Sequence, residues 1–341
     1  MTNTTFTWIP SPSSGNLSGF SAGSGPVIRQ RLSTTAFVPG AVTYTVSPSA
    51  NGCPGTQGQG IAVVKPSPVV NQPVCFDTVT MAGARPILLR GGIPAGGVYS
   101  GNYVAGSTFD PVAAGAGRHP VAYAYTNQFT CTRSDTLFIT VIAQPPFFCG
   151  NPFTDIRNNR QYPTVQLGSQ CWMAANLDYG TEIPATLHQR DNCIPEIYSR
   201  PSSLVSHPSY YQWDEVMDYS ENPWVKGLCP PGWHIPTEND WSILFSVYIN
   251  NAFAGNPLKV TGYSGFNAFL EGVQFNNQIW KFGPTETTVQ SILYWSSTSH
   301  GPQKAWAHGL NLVPIDIEYT PSVNYYPSFR THAFGVRCVK D

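Results

Sequence analysis

Residues Cys229–Trp241, CPPGWHIPTENDW, bring a Cys, a His, a Glu, an Asp and two Trp together within thirteen positions. These side-chain types ligate metals and move protons. A structural zinc site needs four N or S ligands in closely spaced pairs. Cys229 and His234 supply one pair, and no second Cys/His pair stands at compatible spacing. Glu238 and Asp240 have the chemistry of an acid–base pair but no accompanying motif. In the first turn of a helix they would complement its dipole, at about 0.3–1 kcal/mol each. Asp214, Glu215 and Asp218 read in the same way, as a solvated helix face. No Gly-x-Ser-x-Gly elbow is present, and Gly262–Phe266 (GYSGF) reads as a turn. The glycines of GSGPV and GAGRHP lack the Gly-x-Gly-x-x-Gly spacing of a nucleotide loop. The stretch therefore reads as scaffold, and the chain is not expected to be an enzyme. Thr237 is the expected N-cap, with Asp240 three residues on as a variant capping box. Trp241, Leu244, Phe245 and Tyr248 form the apolar stripe of the helix that follows.

The elements that position these residues come from an unusual composition. The 341 residues include 31 Gly, 31 Pro and 13% aromatics but only 11% charged residues. That balance favours short strands and many turns over long helices. The net charge of −1 leaves no basic footprint for nucleic acid. No apolar run reaches the roughly 18–20 residues of a membrane-spanning helix, so membrane insertion is not expected. The eight Cys, at 53, 75, 131, 149, 171, 193, 229 and 338, form no CxxC pair. They read as disulfides made in an oxidising compartment. MTNTTFTWIP lacks the basic start and apolar core of a secretory signal. The expectation is a piece of a larger surface protein or fibre, with a phage particle as the alternative.

Two Pro-rich seams, Val63–Val70 (VVKPSPVV) and Val141–Gly150 (VIAQPPFFCG), each follow an alternating strand-like run. They delimit three expected domains: 1–66, 67–145 and 146–341. In the first, Val42, Tyr44 and Val46 alternate with Thr43 and Thr45, the half-buried strand pattern. The second repeats short strands with Gly-rich turns. Both read as small antiparallel sandwiches. The third holds eight of the nine Trp, all but Trp8, consistent with one aromatic core. Two helices are expected in it, over SYYQWDEVMDYS and PTENDWSILFSVYIN.

Several stretches carry a resemblance. TTFTWIP…AVTYTVSPSANGCPG resembles the PKD-like, immunoglobulin-like repeats of bacterial surface proteins, and LLRGG…AYAYTN looks like a second such repeat. The first strand of such repeats is missing before TTFTW, which leaves Cys53 without its expected partner. Residues 146–341 resemble the Fibrobacter succinogenes major paralogous domain. The match is carried in order by Asp155–Leu177, Tyr210–Met217, Val225–Leu244, Tyr294–Ser299 and Phe334–Asp341. The resemblance implies two immunoglobulin-like sandwiches followed by an α+β, C-type-lectin-like domain on a bacterial surface. Some related C-type-lectin-like proteins are varied by diversity-generating retroelements just before the last strand. A Cys229–Cys338 bridge would tie the end of the chain to the helix, at about 2–4 kcal/mol. Cys75–Cys131 would close the second sandwich. Cys171 has Cys193 and Cys149 as alternatives.

Calcium-dependent sugar binding in C-type lectins uses Glu-Pro-Asn or Gln-Pro-Asp loops and a Trp-Asn-Asp strand, and neither is present. Asp316 and Glu318 are thin for the six to eight oxygens of calcium, so no cofactor is expected, with calcium as the weaker alternative. The most suggestive segment is Ser299–Phe334, between YWSST and FGVRC. It holds Trp306, Tyr319, Tyr325, Tyr326 and Phe329, interleaved with Asn324, Ser328, Arg330, His300, His308 and His332. Aromatic and Arg anchors among small polar residues are what adaptable binding loops use. The expected ligand-binding set is Trp306, Tyr319, Asn324, Tyr325, Tyr326 and Arg330, and the expected ligand is a protein or a glycan. The alternatives are a structural surface or filament subunit with no ligand of its own and, third, an enzyme accessory domain.

Overall fold

The computed structural model describes the chain except residues 1–3, 14–15, 200–208, 249–256, 260–261, 269–272, 276–277, 281–290 and 312–322. It is mostly β, with 43% strand and 7% helix in several sheets. The chain divides into two compact units. One comprises residues 1–72, 92–98 and 122–136, and the other residues 73–91, 99–121 and 137–341.

In the smaller unit, Thr4–Pro12 pairs antiparallel with Gly40–Ala50, setting Trp8 opposite Val46. Gly58–Val64 pairs with the other edge of Gly40–Ala50. Alternation sends Trp8, Val42 and Tyr44 into a small core. Their polar ends are served locally: Trp8 Nε1 donates to Ser21 O at 3.2 Å, and Tyr44 OH to Gln30 Oε1 at 2.7 Å. Gly23 crosses the Trp8 ring so closely that a Cβ would lie 2.7 Å from it.

In the larger unit the last nine residues are central. Val339–Lys340 pairs with both Gln170–Met173 and Trp233–His234, and Ala333–Phe334 joins Ser209–Gln212 to Val273–Phe275. The core around them holds Trp172, Trp213, Trp233, Trp241 and Trp295, each at most 1% exposed.

The helix Glu238–Ser246 begins as its sequence dictates. Thr237 Oγ1 accepts from Asp240 N, and the Asp240 carboxylate accepts from Thr237 N. Trp241, Leu244 and Phe245 are buried along one stripe. His234 fastens this N-terminus: Nδ1 lies 2.7 Å from Asp341 Oδ1 and Nε2 lies 3.3 Å from Asp240 Oδ2. Burial alone would raise the Asp240 carboxyl, but hydrogen bonds from His234 and Thr237 bring it down to about 2. Cys229 and Cys338 are bonded beside this cluster.

Two expectations are corrected, and one open alternative is decided. Cys75 is bonded to Cys193, not to Cys131. Cys131 is a free thiol in the turn before Thr132–Ile142, where its amide donates to Asn127 Oδ1. Residues 73–91, read as part of a separate sandwich, join the larger unit instead. That bridge holds them there, together with ion pairs from Asp77 to Lys226 and from Arg90 to Asp218 and Asp191. Cys149 is bonded to Cys171, which decides between its two alternatives.

The first expected helix is only one turn, Trp213–Val216. The residues before it pair as the strand Ser209–Gln212, and Asp218 and Tyr219 leave the helical region with φ of 53° and 58°. Glu215 is not on a solvated face. It is 3% exposed, accepting from Glu196 N at 2.8 Å and Tyr219 OH at 2.7 Å.

Burial pushes the Glu215 carboxyl up to about 7, against the pull of those two hydrogen bonds. The folded protein therefore binds a proton here that the unfolded chain has lost above about pH 4.3. Stability from this group is full below that pH and falls as pH rises toward 7. Glu215→Gln removes the term. Its stability relative to the native chain is expected to rise by about 2–3 kcal/mol between pH 5 and pH 8 in denaturant unfolding.

Candidate functional site

The strands Ser291–Ser299, Lys304–Asn311 and Val323–Phe329 form an antiparallel three-stranded sheet in the larger unit. Period-two alternation divides the middle strand. Ala305 and Ala307 are fully buried in the core that contains Trp213 and Trp295. Lys304, Trp306 and His308 leave the strand on the opposite side.

That second side runs from buried to exposed. His308 is buried, stacked 4.9 Å from the Trp241 ring, with Nε2 2.9 Å from Glu238 Oε1. Trp306 is half-buried and meets the His300 ring edge-on at 4.8 Å. Lys304 stands opposite Phe329 in the register and places Nζ 4.8 Å from its ring centre. Phe329 is 46% exposed and also meets the His332 ring at 5.6 Å. Burial keeps the His332 imidazole below its ordinary range. The result is a surface strip of His300, Trp306, Lys304 and Phe329, rich in ring area and carrying the Lys304 cation.

Arg330 lies behind this strip. Its side chain is 8% exposed. The guanidinium grips the Glu221 carboxylate with both Nη atoms and reaches Asp214 Oδ1 at 3.2 Å. Nη2 also donates to Ser299 Oγ at 2.8 Å and Gly301 O at 3.0 Å. Its carbon lies 4.1 Å from the Trp213 ring centre. The hydrogen-bonded fork holds the Glu221 carboxyl below its ordinary value, while burial raises that of Asp214 despite Arg330. Arg330, expected as an anchor for a ligand, is instead a rivet. It fixes the Ser299–Gly301 turn and the end of the third strand to the one-turn helix at Trp213.

Of the other expected residues, Trp306 is in the strip. Asn324, Tyr325 and Tyr326 stand in register opposite Gly309, His308 and Ala307. Tyr319 lies outside the described residues, as do Asp316 and Glu318. No group of three or more potential metal ligands occurs among the described residues. Lys304 was missed by the sequence reading. Its signal is the period-two spacing Lys304-x-Trp306-x-His308. The strip has ring faces, a cation and polar rims.

A comparison with protein-family models matches residues 165–340 to the Fibrobacter succinogenes major domain (Fib_succ_major). The match spans the three-stranded sheet and the capped helix. A comparison with curated proteins finds no match.

Arg330→Ala is expected to destabilise the protein by about 3 kcal/mol in denaturant unfolding, through lost charged hydrogen bonds and lost packing on Trp213. Arg330→Lys keeps the charge but not the two-pronged grip. It is expected to recover less than half of that loss.

Proposed function

Because the chain belongs to the Fibrobacter succinogenes major domain family, we propose that it is an adhesin-like ligand-binding protein of a bacterial surface. In this reading, immunoglobulin-like spacers present a C-type-lectin-like head, and the head meets a protein or glycan through its C-terminal sheet and loops. The observation that carries the reading is the strip of His300, Lys304, Trp306 and Phe329. Large rings are left part-exposed on a sheet whose other face is core. Exposed aromatic area on a rigid support is characteristic of recognition surfaces. Rings also stack on the apolar faces of sugars and grip apolar side chains. The three disulfides fit an oxidising, extracellular setting. No helix among the described residues is long and apolar enough to cross a membrane. Retroelement-driven variation of residues 299–332 would extend this reading, since it would diversify the same surface.

A second reading, a structural surface or filament subunit, draws on the Gly58–Val64 strand. Ile61 and Val63 on it are 69% and 63% exposed. Exposed apolar edge strands favour association with other chains. Light scattering separates the two: self-association into large species with no binding to any probe supports the subunit reading.

The head reading is tested with a glycan array and with immobilised mucin. Trp306→Ala combined with Phe329→Ala is expected to lower binding at least tenfold, with the thermal midpoint within about 2 °C of the native chain. Full retention of binding by the double variant would place the ligand elsewhere.

A further inference from the structure

We propose that a cavity on another part of the larger unit, beside the Lys340 side chain, binds one small carboxylic acid with an aromatic or branched aliphatic body. The cavity measures about 280 Å³. An engineered cavity of roughly 150 Å³ already admits a six-membered apolar ring. The larger volume here holds such a ring together with a short acid chain. Met81, Ile142, Phe147, Phe153 and Ile156 give it an apolar wall. The Phe147 and Phe153 rings meet edge-on at 6.0 Å, and both pack on the buried Trp233 ring.

Strand geometry puts Lys340 on the side of this wall. Val339 enters the core around Trp172 and Trp241, while Cys338 belongs to the core around Trp233. Alternation returns Lys340 to the Cys338 side. Lys340 also stands opposite Trp233 in the antiparallel register, and cross-strand partners project to the same face. The Trp233 ring lies 5.8 Å from Phe147 and 5.1 Å from Phe153, two rings of the cavity wall. Nζ rests over the turn at Gly232, where an added Cβ would be 3.5 Å from it, and the adjoining Pro231 lines the cavity as well. Lys340 is half-buried, and its Nζ is open to solvent rather than closed off. Asp341, the next residue, gives its carboxylate to Arg85 Nε and His234 Nδ1, each at 2.7 Å. Among the described residues no acid forms an ion pair with Lys340.

The lining then selects the ligand. Among the described residues that line the cavity, Lys340 is the only charged one. Burial holds its amine below the ordinary lysine range, against the pull of Asp341. An anion seated against Nζ would offset that cost of desolvation. Pro145, Pro146, Pro152 and Pro231, all in the lining, have no N–H to donate. Gln144 and Thr154 are the only uncharged polar side chains there. A polyhydroxylated ligand would leave most of its hydroxyls unmet against these walls. A bare inorganic anion would leave the apolar wall uncovered, and an apolar amine would be repelled by Lys340. An apolar body carrying one carboxylate satisfies both parts of the lining, as ligand pockets with mostly apolar walls and a single placed charge do.

The test uses the full chain in calorimetric titration with the sodium salts of phenylacetate, hydrocinnamate and isovalerate. Phenylacetamide, phenethylamine and acetate serve as the neutral, cationic and bodiless controls. At least one of the three acids is expected to bind saturably with Kd of about 1 mM, and each control at least tenfold more weakly. Lys340→Gln is expected to lower acid affinity at least tenfold, to the level of the amide, and Lys340→Arg to keep the preference for acid over amide. Ile156→Trp fills the cavity and leaves Lys340 in place, so acid affinity is again expected to fall at least tenfold. Ile142→Phe, from the same wall, replaces it if Ile156→Trp does not fold. The proposal fails if no acid binds, if the amide binds as tightly as the acid, or if acid binding survives either Lys340→Gln or the filled cavity. Loss of acid binding in the Trp306→Ala/Phe329→Ala variant with retention in Ile156→Trp would assign the acid to the sheet surface and also overturn the cavity. Failure of the cavity leaves the array and mucin result on the sheet untouched.

Discussion

Arg337 is 1% exposed, yet its guanidinium reaches four backbone and side-chain acceptors on two segments. These are Asn176 Oδ1 at 2.7 Å, Met173 O at 3.1 Å, Phe266 O at 2.6 Å and Asn267 O at 2.8 Å. A charge this deep in the protein is tolerated only when its donors are met. The cation lies 4.7 Å from the Phe266 ring centre, which adds attraction from the aromatic face. The neighbouring residue, Cys338, is bonded to Cys229. One residue before, Val336 O accepts from Leu177 N, and Gly335 N donates to Leu293 O. The C-terminal segment therefore collects segments from across residues 171–294. The candidate surface inherits its rigidity from this knot, because Tyr294 and Trp295 lie on the first strand of the sheet that carries it.

Three buried guanidiniums illustrate how the same group serves different ends. Arg337 binds loop carbonyls and organises the core. Arg330 takes two carboxylates and sets the turn at the end of the candidate strip. Arg157 spends Nε and Nη2 on Asp155 and on Leu228 O, which ties two distant segments together. Arg suits all three because its planar fork loses little freedom per hydrogen bond.

What was legible in the sequence was local. Thr237 and Asp240 cap their helix because the reciprocal bonds lie three residues apart. Val42 and Tyr44 are buried because strand alternation is a neighbour rule. The aromatic clustering within residues 146–341 foretold the core. What stayed hidden was decided at long range. Cys75 meets Cys193 across 118 residues, and no spacing rule selects that pair. Glu215 looked solvated because helix periodicity cannot show Glu196 N arriving to bond it. Arg330 looked like a surface anchor because its partners, Asp214 and Glu221, are 116 and 109 residues away.

The strip owes its exposure to the residues on its reverse. Along the middle strand, Ala305, Ala307 and Gly309 alternate with Lys304, Trp306 and His308. The small residues let the backbone close against Trp213 and Trp295, which fill that side with ring area. The large residues then stand on the opposite side, where the Glu238–Ser246 helix covers His308. That nine-residue helix shields His308 through Trp241 and Phe245. Trp306 stays half-buried beside exposed Phe329, where the rings of His300 and His332 give partial cover. Burying the remaining ring area would be favourable by about 25 cal/mol per Å². In the proposed reading, a ligand docking against the strip would gain that free energy.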